Sequence, residues 1–111
     1  MNKREVYKEK FEKELEQIVK KLVSKYHPEQ IILFGSWARG DFHSGSDIDL
    51  IIIKKTSERF VDRIGKVLEL VDSPFVIEPM IYTPEEYQRM LEEDNYFLKS
   101  ALSEGKVIYG G

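Results

Sequence analysis

The stretch Gly35-Ser36-Trp37-Ala38-Arg39-Gly40, followed after a short loop by Ser46-Asp47-Ile48-Asp49-Leu50, decides the fold of this 111-residue chain. On its N-terminal side, Gln30 to Phe34 is a short apolar run rich in β-branched residues and closed by Gly35, the pattern of a buried strand. Ser36 to Arg39 fits one helical turn, and Gly40 to Ser46 is a turn-rich loop. Asp47 to Ile53 (DIDLIII) is the most strand-like segment of the chain, and its unbroken apolar run predicts a central strand covered on both faces. About eleven residues separate the two runs, barely the ~10 to 12 that a parallel crossover requires, so the two strands are expected to be antiparallel neighbours. The end of the first strand then lies beside the start of the second.

Working outward, Phe11, Leu15, Ile18, Val19, Leu22, Val23 and Tyr26 recur at helical spacing, and His27-Pro28 ends that amphipathic helix because a residue before proline avoids the helical region. Downstream, Ser57 is expected to cap a helix with the apolar stripe Phe60, Val61, Ile64, Val67, Leu68 and Val71, broken by Asp72-Ser73-Pro74. A helix of that length can carry a right-handed crossover, making the third strand, Phe75 to Tyr82, parallel to the second. Pro79 places that strand at an edge. Thr83-Pro84-Glu85-Glu86 combines a cap hydroxyl, proline at the first helical position and glutamate three residues after the cap. The remaining segment predicts a last helix stopped at Gly105 and a short strand from Val107 to Tyr109. The expectation is an α/β (α+β) fold with a small mixed sheet flanked by helices, forming one domain over residues 1–111.

Charge and composition narrow the functional classes. Seventeen Lys and Arg against twenty Asp and Glu give a net charge of -3, distributed as +2 over residues 1–30 and -5 over the rest, so no broad nucleic-acid-binding surface is expected. With no cysteine there is neither a disulfide framework nor a thiolate metal site. No apolar run approaches the ~20 residues of a membrane span, and no signal core opens the chain, so a cytoplasmic protein without membrane contact is expected.

Three carboxylates stand out. Asp47 and Asp49 lie one residue apart on a strand, which puts both side chains on one face with Cα atoms ~6.5 to 7 Å apart. Two such charges repel and are costly to bury unless a cation compensates, and a divalent metal is the natural one. Glu78 sits among Val76, Ile77, Pro79 and Met80, where a solvated glutamate is not the expected residue, and it can bring a third oxygen ligand from the neighbouring strand. All-oxygen ligation favours magnesium or manganese. Gly35 at a strand end lets the backbone approach a ligand, the following amides point toward anions, and Ser36 adds a hydroxyl. Carboxylates holding a metal beside an anion cradle are what phosphoryl or nucleotidyl transfer requires. Each residue also has a plainer reading: Asp47 and Asp49 as turn caps, Glu78 in a surface salt bridge, Arg39 bracing the loop through Asp41. Trp37 and Phe42 flank the motif and are expected to stack on a base or to meet a partner. His27 and His43 are taken as solvent-exposed loop residues.

At these residues the chain resembles the nucleotidyltransferase superfamily that includes the polymerase-β palm, and in particular its minimal nucleotidyltransferases. The matching residues are Gly35-Ser36-Trp37-Ala38-Arg39-Gly40 and Ser46-Asp47-Ile48-Asp49-Leu50, with Glu78 where the family places a third carboxylate, usually Asp. The resemblance spans Phe11 to about Ile108. It implies that Asp47 and Asp49 hold two magnesium ions and that Glu78 completes one metal site and helps deprotonate the acceptor. It further implies that Gly35 and Ser36 bind the terminal phosphates of ATP or another NTP, while Arg39 and Ser46 support that loop or the triphosphate. The implied activity is transfer of AMP, or another NMP, to a hydroxyl. For this family the acceptor is typically a tyrosine of a HEPN-domain toxin, which would make the chain an antitoxin. The alternatives are a non-catalytic nucleotide-binding module that neutralises its partner by occlusion, an aminoglycoside-type small-molecule transferase, and, for assembly, a homo-oligomer.

Overall fold

The computed structural model describes all residues, 1–111. Chain order is α1 (Lys3–Lys25), β1 (Gln30–Phe34), α2 (Ser36–Arg39), β2 (Ile48–Ile53), α3 (Phe60–Val71), β3 (Ile77–Tyr82), α4 (Pro84–Glu92), α5 (Tyr96–Glu104) and β4 (Lys106–Tyr109). The four strands form one mixed sheet in the order β3-β2-β1-β4. β1 is antiparallel to both β2 and β4, and β2 is parallel to β3 through the α3 crossover. Pro79 lies on β3, at the edge of the sheet, where the hydrogen bond it cannot donate is not needed by a neighbour.

Period-two alternation sends the two faces of the sheet to different helices. Ile31, Leu33, Ile48, Leu50, Ile52, Ile77 and Ile81 pack against α1 and α3, where Ile18, Leu22, Val67 and Val71 are fully buried. Ile32, Ile51, Ile53 and Tyr82 face the other way and are covered by Leu98 and Ala101 of α5, with Met90 of α4 alongside. β2, covered on both sides, is therefore apolar at every position except Asp49. α4 starts as expected: the Thr83 side chain accepts from the Glu86 amide, the Glu86 carboxylate accepts from the Thr83 amide, and Pro84 opens the helix.

Some local expectations are corrected. α3 begins at Phe60 with Arg59 at its cap, not at Ser57. The Thr56 hydroxyl accepts from the Glu58 amide at 3.0 Å, which holds Ser57 in a turn before the helix. Phe75 and Val76 precede β3; the Ser73 hydroxyl accepts from the Phe75 amide and keeps that segment in the bend after α3. Asp47 lies just before β2 rather than in it. α1 reaches back to Lys3, capped by Asn2, and ends where His27 adopts a left-handed backbone with φ of 56° before Pro28. No helix is long and apolar enough to cross a membrane.

Candidate active site

The pairing of β1, β2 and β3 brings Phe34, Asp49 and Glu78 into one row across the sheet, because Phe34 is the register partner of Asp49 and Asp49 that of Glu78. All three side chains leave the face covered by α5. Asp47, two positions before Asp49, is partly exposed at the same end.

β1 ends at Gly35, whose backbone has φ of 77°. A Cβ at this position would lie 3.0 Å from Cγ of Asp49 and would press into its carboxylate oxygen. Glycine is thus required twice, for the left-handed turn and for the close approach of the backbone to Asp49. α2 follows as a single turn and is closed by Gly40 in the left-handed region. No side chain caps its first turn.

Asp49 is the most perturbed acid of the chain. Its carboxyl is pushed from 3.8 to about 6, first by burial, then by a hydrogen bond with Glu78 and the negative charges of Glu78 and Asp47, while Arg39 only weakly opposes this. Asp49 and Glu78 are neighbours across the β2–β3 pairing. The donor set is three carboxylates with only Arg39 as a weak counter-charge, a chemistry that suits a hard divalent ion. As placed, no three acidic or histidine side chains converge into a ready cage.

The other expected residues are placed as follows. The Ser46 hydroxyl accepts from the His43 amide at 2.9 Å, and the Ser46 carbonyl accepts from the Trp37 indole at 3.3 Å. Ser46 thus ties the far end of the loop to α2. Arg39 donates to Asp41 at 3.2 Å and to Glu104 at 2.9 Å, and both acids reinforce its charge. Glu104 also accepts from the Gly35 amide at 3.3 Å. Arg4 of α1 donates to the Phe42 and Gly40 carbonyls and lies over the Phe42 ring, strapping the same loop from the other side.

Two readings made from the sequence are overturned here. Trp37 and Phe42 are buried, Trp37 being sandwiched between Phe11 at 3.9 Å and Phe42 at 4.2 Å, so neither is free to stack on a base or a partner. Glu78 is exposed at the edge strand, so its place among apolar neighbours reflects alternation across the strand and not burial. Sequence reasoning also missed two features. Phe34 meets Phe97 of α5 edge to face at 5.6 Å, forming an aromatic wall beside Asp49. Glu104, which reaches Gly35 and Arg39, had one available signal: an acid in the last position of a helix opposes the macrodipole and calls for a partner elsewhere.

Comparison with known proteins now decides the family. The sequence profile of the nucleotidyltransferase domain matches residues 9–108. This chain belongs to that family. The transferase is 34% identical over 100 residues to the Methanocaldococcus jannaschii protein named "Putative protein adenylyltransferase MJ0604", with 88% of this chain and 97% of that protein covered. A second protein of that organism, "Putative protein adenylyltransferase MJ0141", is 30% identical, with 83% and 92% covered. Among solved structures, a "putative nucleotidyltransferase from Sulfolobus solfataricus" superposes with a TM-score of 0.70 at 19% identity, over 99% of this chain and 89% of that one. A toxin-antitoxin complex with AMP-PNP contains a chain that matches the transferase with a TM-score of 0.57 at 22% identity, over 86% and 73%. The nucleotidyltransferase fold and enzyme class expected from the Gly35-Ser36 and Asp47/Asp49 motifs are thereby established.

Proposed function

We propose that this nucleotidyltransferase is a magnesium-dependent protein adenylyltransferase that moves AMP from ATP to a hydroxyl and releases pyrophosphate. The observation that carries the proposal is the register pairing of Asp49 with Glu78 beside Gly35, which sets an acid pair against the one backbone bend that approaches it. The relatives named protein adenylyltransferases support a protein acceptor. The resemblance to minimal nucleotidyltransferases points to a tyrosine of a HEPN-domain partner, and to an antitoxin role. The structural likeness to a chain of a toxin-antitoxin complex agrees with that pairing.

In this reading Asp47, Asp49 and Glu78 hold magnesium, two ions as the family implies, with manganese as a substitute. When bound, the metal neutralises the phosphates and stabilises charge developing in transfer. Gly35 and Ser36 present the first turn of α2 to the terminal phosphates. Ser46 and Trp37 hold the loop in shape. Glu78, exposed at the edge strand, faces the side from which an acceptor arrives, and its carboxylate takes the hydroxyl proton. The Phe34 and Phe97 rings bound the site on the β1 side.

Incubation with labelled ATP, magnesium and the product of the adjacent gene tests the proposal. Label is expected on a partner tyrosine and is expected to vanish with Asp47→Ala. Neutralisation of the partner that survives both Asp47→Ala and Asp49→Ala would show occlusion instead, and label on a low-mass acceptor would show small-molecule transfer.

A further inference from the structure

Glu104 occupies two donors, the Gly35 amide and the Arg39 guanidinium. One carboxylate oxygen accepts from the Gly35 amide at 3.3 Å, and the other accepts from Arg39 at 2.9 Å. These are a backbone donor of the phosphate bend and the cationic side chain of the signature. Arg39 is engaged by Asp41 as well, so the three side chains Arg39, Asp41 and Glu104 carry a net negative charge between them. The charge of Arg39 is thus already offset by two carboxylates before a polyphosphate arrives.

The contact is built into the fold. Glu104 is the last residue of α5, where its charge opposes the helix macrodipole. Its backbone cannot shift freely. A Cβ at Gly105 would lie 2.9 Å from the Ala101 carbonyl and 3.1 Å from Ile32, and β4 pairs with β1 at Lys106 immediately afterwards. The side chain, 22% exposed, is the movable part. Arg39 lines a cavity of about 480 Å³ beside α2, with Arg4, Glu5, Lys8 and Lys106 as the other charged groups around it. Arg39 freed from Glu104 therefore still stands in a basic environment.

We infer that Glu104 is an internal stand-in for phosphate, holding the Gly35 amide and Arg39 until a nucleoside triphosphate displaces it, and that it thereby sets triphosphate affinity. This rests on the reading of the Gly35-Ser36 bend as the phosphate site. Glu104 touches none of the reacting atoms. It acts by competing for the donors.

The test is titration calorimetry of the full chain with α,β-methylene ATP and magnesium, a ligand that cannot transfer AMP. Glu104→Gln is expected to bind about threefold to tenfold tighter than the parent, the gain from ending competition by an exposed ion pair and one charge-assisted hydrogen bond. AMP, which lacks the terminal phosphates, is expected to bind both proteins equally. In an Arg39→Gln background the gain from Glu104→Gln is expected to shrink. Glu104→Asp, which keeps the charge but withdraws it by one methylene, is expected to fall between the two and serves if the glutamine variant folds poorly. Weaker or unchanged triphosphate binding by Glu104→Gln would overturn the inference alone. An equal gain with AMP would do the same, by showing a general charge effect. If neither parent nor variant binds the nucleotide, the phosphate-site reading falls with it.

Discussion

Replacing Asp49 by asparagine should make the metal-free protein more stable while abolishing its response to magnesium. In the folded chain the Asp49 carboxyl is raised from 3.8 to about 6 by burial and by Glu78 and Asp47. A group raised in this way contributes stability that is complete below its unfolded value and is lost as pH rises through the folded one. At neutral pH a fully shielded carboxyl so displaced would cost the fold on the order of 3 kcal/mol, and partial contact of the site with water lowers this to about 1–2 kcal/mol. For a domain of this size each kcal/mol is worth roughly 4–8 °C, so Asp49→Asn in EDTA at pH 7.5 should melt about 5–10 °C above the parent. The difference should narrow as pH falls through about 6 and close below 3.8, where the parent carboxyl is protonated in both states. Millimolar magnesium should raise the Tm of the parent at pH 7.5 and leave Asp49→Asn unmoved. Calorimetric melting over pH 3 to 8, with and without magnesium, supplies all these readings. Equal melting of parent and variant in EDTA at pH 7.5, with identical pH slopes, would refute the account of a repulsive acid cluster awaiting a cation.

Other consequences can be checked in parallel. Gly35→Ala should lose nucleotide binding and about 1–3 kcal/mol of stability in urea titration, because alanine meets both the left-handed φ and the Asp49 carboxylate. Arg63 is buried, with its guanidinium on the Glu58 and Ile81 carbonyls and on Glu86, so Arg63→Met should cost about 2–3 kcal/mol in chemical denaturation. Glu86 is held below the ordinary glutamate range, first by Arg63, so the pair stabilises above that range and fails as pH falls through the lowered value. Glu86→Gln should accordingly flatten the acid side of the stability profile. Trp37→Phe should leave nucleotide affinity within about twofold, whereas Trp37→Ala should cost about 3–5 kcal/mol, since the ring is core packing between Phe11 and Phe42.

The elements that specify the sheet were legible because each has a local cause. Gln30–Phe34 and Ile48–Ile53 are β-branched runs of strand length, and the short link between them favours the antiparallel pairing that the sheet shows. Thr83 to Glu86 carries its helix start within four residues. The convergence of Gly35, Asp49 and Glu78 followed from those strand directions. What escaped the sequence was set by tertiary contact. Whether Trp37 faces solvent or core depends on Phe11, twenty-six positions earlier, closing over it. The exposure of Glu78 depends on nothing covering the edge of β3. Glu104 reaches Gly35 across sixty-nine positions, a distance over which no periodicity speaks. The start of α3 was misplaced because Thr56, and not Ser57, makes the turn that precedes it.

The pairing of β2 with β3 divides the crossover into a part that tolerates insertions and a part that does not. One residue added between Asp72 and Val76 lengthens a link and leaves Glu78 opposite Asp49. The same residue added after Ile77 inverts every later side chain of the strand, driving a carboxylate among Ile48, Leu50 and Val67 and moving Ile81 to the face that packs against α5. Length variation among descendants of this chain should therefore stop abruptly at Ile77.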